Sequence, residues 1–263
     1  MADADRPRSP FAANIEFLDD APIRSVTPEE LAQILAAHDL YVTSNRQSGK
    51  RAHLESTALS GQSFAGMKLR RIRMYRAELA GADFTGADLR RANMIGAKIQ
   101  RGCLASADLT GARLSGVNLA DANCKGARLA GADLEFAILA NVVFEDADLH
   151  DADMSGVILD GADLSGAILC RANLRGASLR DARLCGADLR DARLGGASLT
   201  RTSFKGADLR NAYLRVAKFD HVDLSGADLR GVRGLTREQI DNAICDADTR
   251  LPDDLSTETA DGA

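Results

Sequence analysis

The stretch GADFTGADLRRANMIGAKIQ (residues 81–100) decides the fold. It divides into four five-residue phrases, each with a small residue, a polar residue and a large apolar one. A helix repeats at about 3.6 residues and a strand at about 2, so neither places an apolar side chain at every fifth position. Working outward by fives from Leu54 reaches residue 229 without a slip. All 36 of these central positions are apolar: 26 Leu, five Phe, three Met, Ile99 and Cys124. Two residues before each centre stands Ala in 26 of the 36 cases; the rest are mostly Val, Ile, Met or small, with Gln62 the odd one. One residue before the centre Asp or Asn occurs 15 times, and Gly is frequent two residues after it.

In an extended segment alternate side chains face opposite sides. The Ala and the Leu two residues later therefore point inward, and the Asp between them points out. The remaining two residues turn a corner, where Gly suits a backbone that other residues resist. One large and one small inward residue per side fill a narrow tube. GADLR recurs at 86, 186, 206 and 226, and Phe64, Phe84, Phe144 and Phe204 share another register of 20. Four pentapeptides per coil explain both series, and 36 pentapeptides make nine coils over residues 52–231. At about 4.8 Å per coil the rod is roughly 43 Å long.

The A-(D/N)-L-x-x repeat, uninterrupted over 180 of 263 residues, resembles that of the bacterial pentapeptide-repeat family. The resemblance implies an all-β solenoid, a right-handed quadrilateral β-helix with short helical caps at both ends. Its handedness is implied by the resemblance alone.

Bulk composition agrees with a narrow, uniform core: apolar residues make up 45% and aromatics only 4%, with no Trp. No apolar run approaches the roughly 18 residues of a membrane span. The start, MADADRPRSPF, lacks the pattern of a signal peptide. The five Cys (103, 124, 170, 185, 245) show no CxxC spacing, so neither a disulfide framework nor a zinc site is expected and a reducing cytoplasm fits.

The ends need covers, because an open coil exposes unpaired backbone and Leu side chains. Residues 1–25 form an N-terminal segment, partly disordered, and 26–51 a capping helix and lead-in. In VTPEELAQILAAHDLYV (26–42) Thr27 is the N-cap, Pro28 the first helical residue and Glu30 completes a capping box. Leu31, Ile34 and Leu35 share one face with His38 or Tyr41, and His38 is read as packing rather than as a ligand. Residues 232–252 form the C-terminal cap, with Thr236 and Gln239 as a second capping box, and 253–263 a disordered tail.

No catalytic set is assigned and no cofactor or metal is expected. The outward series Asp88, Asp108, Asp148, Asp188, Asp208 and Asp228 lines one face, yet a convex wall offers no pocket that excludes water. Outward Cys103, Cys170 and Cys185 have no fixed basic neighbour to activate a thiol.

Charge divides the tube into zones. Residues 52–128 carry 12 basic and 6 acidic side chains, 129–170 carry none and 9, and 171–231 carry 12 and 7. The acidic zone also places Phe136, Ile138, Val143 and Ile158 outward, beside Glu135, Glu145 and Asp146. Exposed apolar groups with a charged rim mark candidate protein-binding surfaces. A basic patch gathers Lys68, Arg70, Arg71, Arg73 and Arg76 near Arg90 and Arg91. Tyr75 is its one aromatic, so a solvated face is expected there rather than nucleic-acid binding.

Two functions follow. The first is a non-enzymatic scaffold or adaptor that docks a protein partner. The second, implied by the resemblance, is a DNA mimic that binds a type II topoisomerase (DNA gyrase) and protects it from quinolone-like inhibitors. That branch presents a strongly negative rod and usually dimerises through a C-terminal cap, so a dimer is one of the states the resemblance allows. The slightly basic tube, its short acidic zone and its unbroken register favour the adaptor.

Overall fold

The computed structural model describes residues 22–256. The chain ends at 1–21 and 257–263, where the sequence suggests little order, lie outside the described residues.

Each pentapeptide contributes one side of a four-sided coil, and parallel bridges tie each side to the one 20 residues on. Wall A carries the bridge series from His53 through Arg73 to Arg233, and wall B the series from Ala58 through Glu78 to Lys218. Wall C runs from Ser63 to Asp223 and wall D from Lys68 to Asp228. Of the 36 centres 35 are buried, and Phe219 in the last coil is half-buried. The rings of Phe64 and Phe84 stack face to face inside the tube, centroids 4.8 Å apart. Gln62 and Met67 were expected to face inward but are exposed. They lie at the rim of the first coil, where no earlier coil pairs with walls C and D among the described residues.

Backbone hydrogen bonding accounts for the repeat's composition. Four of the five N–H groups in a pentapeptide find carbonyls. Asp83 N–H donates to Gln62 O at 3.0 Å, Phe84 N–H to Cys103 O at 2.7 Å, Gly86 N–H to Ala105 O at 2.9 Å and Ala87 N–H to Phe84 O at 2.9 Å. The fifth, on Thr85, donates to the Asp83 carboxylate at 2.9 Å. Such a bond closes the turn locally and satisfies a donor that the ladder leaves out. Of the 15 Asp and Asn residues in this position, 14 accept this N–H. Asn173 differs and donates its amide to Asp153.

All 36 corner residues from Ser56 to Gly231 have positive φ, and only half of them are glycine. The other 18 include six Arg, five Asp, Phe136 (φ 57°) and Val216 (φ 55°). A left-handed backbone costs an L-residue roughly 1–2 kcal/mol. The tube sustains that strain because each corner sits between two hydrogen-bonded sides.

Helix α1 (Pro28–Thr43) covers the N-terminal opening. Its capping box forms, with Glu30 N–H donating to Thr27 Oγ1 and Thr27 N–H to Glu30 Oε2. Leu31 is buried, and Ile34 and Leu35 pack against the core. His38 is fully buried, and its Nδ1 accepts the Ala52 N–H at 3.1 Å, satisfying an edge donor of the first coil. Arg24 extends wall B downward by pairing with Thr57.

At the far end walls A, C and D continue into a tenth layer through Arg233, Ile244 and Arg250. On wall B helix α2 (Arg237–Asp241) replaces the strand. Gln239 Nε2 donates to the Ala217 carbonyl at 2.8 Å, and Asp246 accepts the Gly226 N–H at 2.8 Å. Side chains thus finish the hydrogen bonding of the last coil. Helix α3 (Asp253–Ser256) lies within the stretch read as a structureless tail; Leu255 packs on the core and its carbonyl accepts from Arg237, which orders this turn. Among the described residues no helix is long and apolar enough to cross a membrane.

Three outcomes are expected. Leu129, 1% exposed, lies mid-tube; Leu129→Asp buries an unpaired charge and should cost at least about 3 kcal/mol in a urea melt. Val216, 74% exposed, combines a branched side chain with a left-handed backbone. Val216→Gly should raise stability by about 0.5–1 kcal/mol, the strain relieved less the added chain entropy. Burial, and then Arg51, lowers the His38 pKa from 6.5, against the Leu69 carbonyl and Asp39. The folded state therefore takes this proton less readily than the unfolded chain. Stability from this group is complete above 6.5 and declines as pH falls from there towards the folded value. Urea midpoints at pH 7.5 and 5 should show that loss in the native chain and a smaller one in His38→Gln.

Candidate functional site

Inward positions are committed to packing, so recognition belongs to the walls and corners. The outward Asp series lies on wall D, with Arg128 and Ile168 interrupting it. Its carboxylates are engaged: Asp188 receives Arg190 Nε at 2.8 Å and Nη2 at 2.7 Å, and Asp208 and Asp228 receive Arg210 and Arg230 likewise. Hydrogen bonds from these guanidinium groups hold the three carboxyls below the usual carboxylate range. Groups so paired are poorly suited to proton transfer near neutral pH. Among the described residues no three His, Cys, Asp or Glu side chains gather as a metal-binding group. Burial raises the thiol pKa of Cys170, the reverse of what activates a nucleophile.

The apolar and acidic candidates fall on more than one wall. Ile138 and Ile158 are bridged neighbours on wall B, 39% and 42% exposed. Phe136 occupies the corner between walls A and B and is 67% exposed. Its ring lies across the bare α-carbon of Gly156 in the next coil, where a β-carbon would come within 2.6 Å of it. The spacing of 20 between Phe136 and Gly156 thus seats the ring beside the isoleucine pair. Glu135 ends wall A next to Phe136, near Asp133 and Asp153. Its pKa is raised by burial first, then by those two carboxylates. Val143 and Glu145 lie around the next corner on wall C, and Asp146 at the corner beyond; Glu145 is paired to Lys125 at 2.8 Å. The flat apolar surface is therefore Phe136, Ile138 and Ile158 with an acidic edge on wall A.

The basic candidates also divide. Arg73 lies on wall A, 4.0 Å from Glu55, and Arg76 at the corner between walls A and B. Lys68 starts wall D. Arg70, Arg71, Arg90 and Arg91 line one cleft at the corner between walls D and A, together with Arg46 from the loop after α1.

Sequence periodicity passed over three exposed groups. Ile168 is 42% exposed on wall D, opposite the Ile138 pair. It holds the same position before its centre as Ile138 and Ile158, so the register alone was enough to find it. Val216 stands in the same corner row as Phe136, four coils on. Arg46 lies outside the repeat, where no period could place it against the tube.

The profile of pentapeptide repeats matches the chain in 8 copies, over residues 50–91, 72–111, 104–135, 127–166, 167–206 and 197–233. No curated protein matches the sequence. Among solved structures the chain is similar to HetL, a pentapeptide repeat protein involved in heterocyst differentiation regulation from the cyanobacterium Nostoc sp. strain PCC 7120. Identity is 29%, covering 86% of this chain and 94% of HetL, with a TM-score of 0.41. It is also similar to Rfr23, a pentapeptide repeat protein from the cyanobacterium Cyanothece 51142, at 31% identity over 36% of this chain and 63% of Rfr23, TM-score 0.33. A third is a trypsin-treated form of QnrB1, a plasmid-mediated fluoroquinolone resistance protein, at 18% identity over 72% of this chain and 90% of that one, TM-score 0.38. The matched spans run from residue 50 to 233 without a gap, and the chain belongs to the pentapeptide-repeat family, whose fold is the right-handed quadrilateral β-helix.

Proposed function

We propose that this protein is a non-enzymatic scaffold or adaptor of the bacterial cytoplasm, a rigid rod that docks a protein partner on its walls. The observation that carries this reading is the contiguous surface of Phe136, Ile138 and Ile158, edged by Glu135, Asp133 and Asp153. The isoleucine pair stabilises its two coils, and the part left exposed joins Phe136 in one contiguous apolar patch with an acidic edge, the makeup of a docking surface. A partner with an apolar centre and basic flanks fits this surface. Docking on a preformed, strand-like wall also spares most of the ordering cost of a flexible surface.

The alternative, a DNA mimic that binds a type II topoisomerase, needs a long negative field. Here the acidic stretch is confined to residues 129–170, between zones of net +6 and +5. That pattern favours local docking over mimicry of a duplex.

Ile138→Lys with Ile158→Lys should keep the fold and lower the melting temperature only modestly, since both side chains face outward and the lost isoleucine pair and stacked lysines together cost about 1 kcal/mol. The same variant should lose the partners that co-purify with the native chain from its own cells, as read by quantitative mass spectrometry. Undiminished capture would rule this face out. Gyrase supercoiling should proceed unaffected by micromolar protein; inhibition would promote the mimic instead.

A further inference from the structure

We propose that the arginine cleft at the N-terminal end of the rod binds a small molecule carrying two or more phosphoryl groups. The cleft, about 370 Å³, lies between the end of α1 and the corner joining walls D and A. Arg70 and Arg71 come from the first coil, Arg90 and Arg91 from the next, and Arg46 from the loop after α1. Successive coils are about 4.8 Å apart, so the two arginine pairs stand one above the other.

The corner row explains why this place is unlike the rest of the tube. Higher in the same row Asp151 and Arg171 alternate in sign and form a two-pronged ion pair at 2.7 and 2.6 Å. At the bottom Arg71 and Arg91 are stacked like on like. Neither has an acidic partner among the described residues, and nor does Arg46. Arg70 and Arg90 share Asp88, at 3.7 and 2.5 Å, and Arg90 also lies 3.6 Å from Asp108. Those carboxylates are themselves engaged, since each accepts a turn N–H and Asp108 also accepts from Thr110. Five guanidinium groups thus face two occupied carboxylates, and like charges in adjacent coils repel. An anion relieves that repulsion.

Guanidinium groups match phosphate oxygens with paired, charge-assisted hydrogen bonds. The loop backbone that carries Arg46 is held in advance. Its N–H donates to Tyr41 O at 2.8 Å, Ser44 Oγ accepts from Ser48 N–H at 2.9 Å, and Lys50 N–H donates to Ala37 O at 3.0 Å. Half-buried Tyr41 and Val42 wall the cleft on the helix side. The volume falls within the range of roughly 300–1,000 Å³ that small-molecule sites occupy. A nucleic-acid backbone needs a longer basic track, and this row turns to Gly111, Gly131 and Asp151 after two coils. The site is thus sized for a compact polyanion. It lies on the far side of the rod from wall B and is independent of the docking proposal.

Isothermal titration of the full chain with inorganic tripolyphosphate tests this. Micromolar binding is expected, with orthophosphate at least about tenfold weaker and affinity falling as salt rises. Arg71→Gln with Arg91→Gln should weaken tripolyphosphate at least about tenfold without moving the melting temperature. Arg193→Gln with Arg233→Gln, on the distant end of wall A, should bind as the native chain does. No binding by the native chain, or equal loss in both double variants, overturns the proposal. Retention of a short DNA duplex or of phosphatidylserine vesicles by the same arginines, without tripolyphosphate binding, overturns it as well. An ATP titration separates the two sources of the chemistry: ATP bound at least as tightly as tripolyphosphate supports the proposal with a nucleotide, and weaker ATP supports it with a free polyphosphate chain.

Discussion

The step of 20 residues between hydrogen-bonded neighbours governs the whole molecule. Every wall residue is paired by backbone to the equivalent residue one coil away, from His53 to Arg233 on wall A and similarly on the other three. An inserted residue would move a leucine outward and an aspartate inward on all later sides of its coil. The tube therefore tolerates no slip, and none occurs between residues 54 and 229. The caps obey the same constraint from outside. His38, Gln239 and Asp246 each supply the one hydrogen bond that a missing coil would have made.

Stacking at a fixed step also organises the surface. Side chains 20 apart meet, so each wall reads as a row whose neighbours decide what a residue does. Asp181 beside Arg201 becomes an ion pair, at 2.6 Å. Ile138 beside Ile158 becomes an apolar patch, and Arg71 beside Arg91 an unrelieved positive site. The same residue type thus has different consequences in different rows. Strain at the corners belongs to this economy too: half of them are not glycine, which leaves charged and apolar side chains free to stand at the edges of the walls.

Much of this was legible in the sequence because the period is strict. Phe136, Ile138 and Ile158 could be placed outward, and the isoleucines side by side, from their numbers alone. The same numbering puts Val143, five residues after Ile138, on the next face, although the outward register groups it with them as one set. The basic patch shows the limit more clearly. Lys68 to Arg76 is one continuous basic run in the chain, yet the corners send Arg73 and Arg76 away from Arg70 and Arg71. The residue that completes the cleft, Arg46, is contributed by a loop with no repeat.

By itself the sequence determined the side of the tube on which every central residue lies, the nine coils of the repeat and the need for a cover at each end. Those follow from a local period and from the cost of exposing leucine. Only the tertiary structure decided why Asp and Asn precede the centre, since the lone N–H they satisfy becomes visible once the other four are paired between coils. It also decided which charges meet an opposite charge and which do not. That depends on distances between coils and on how α1 and its loop fold back across the first two of them, neither of which is encoded in any short stretch of chain.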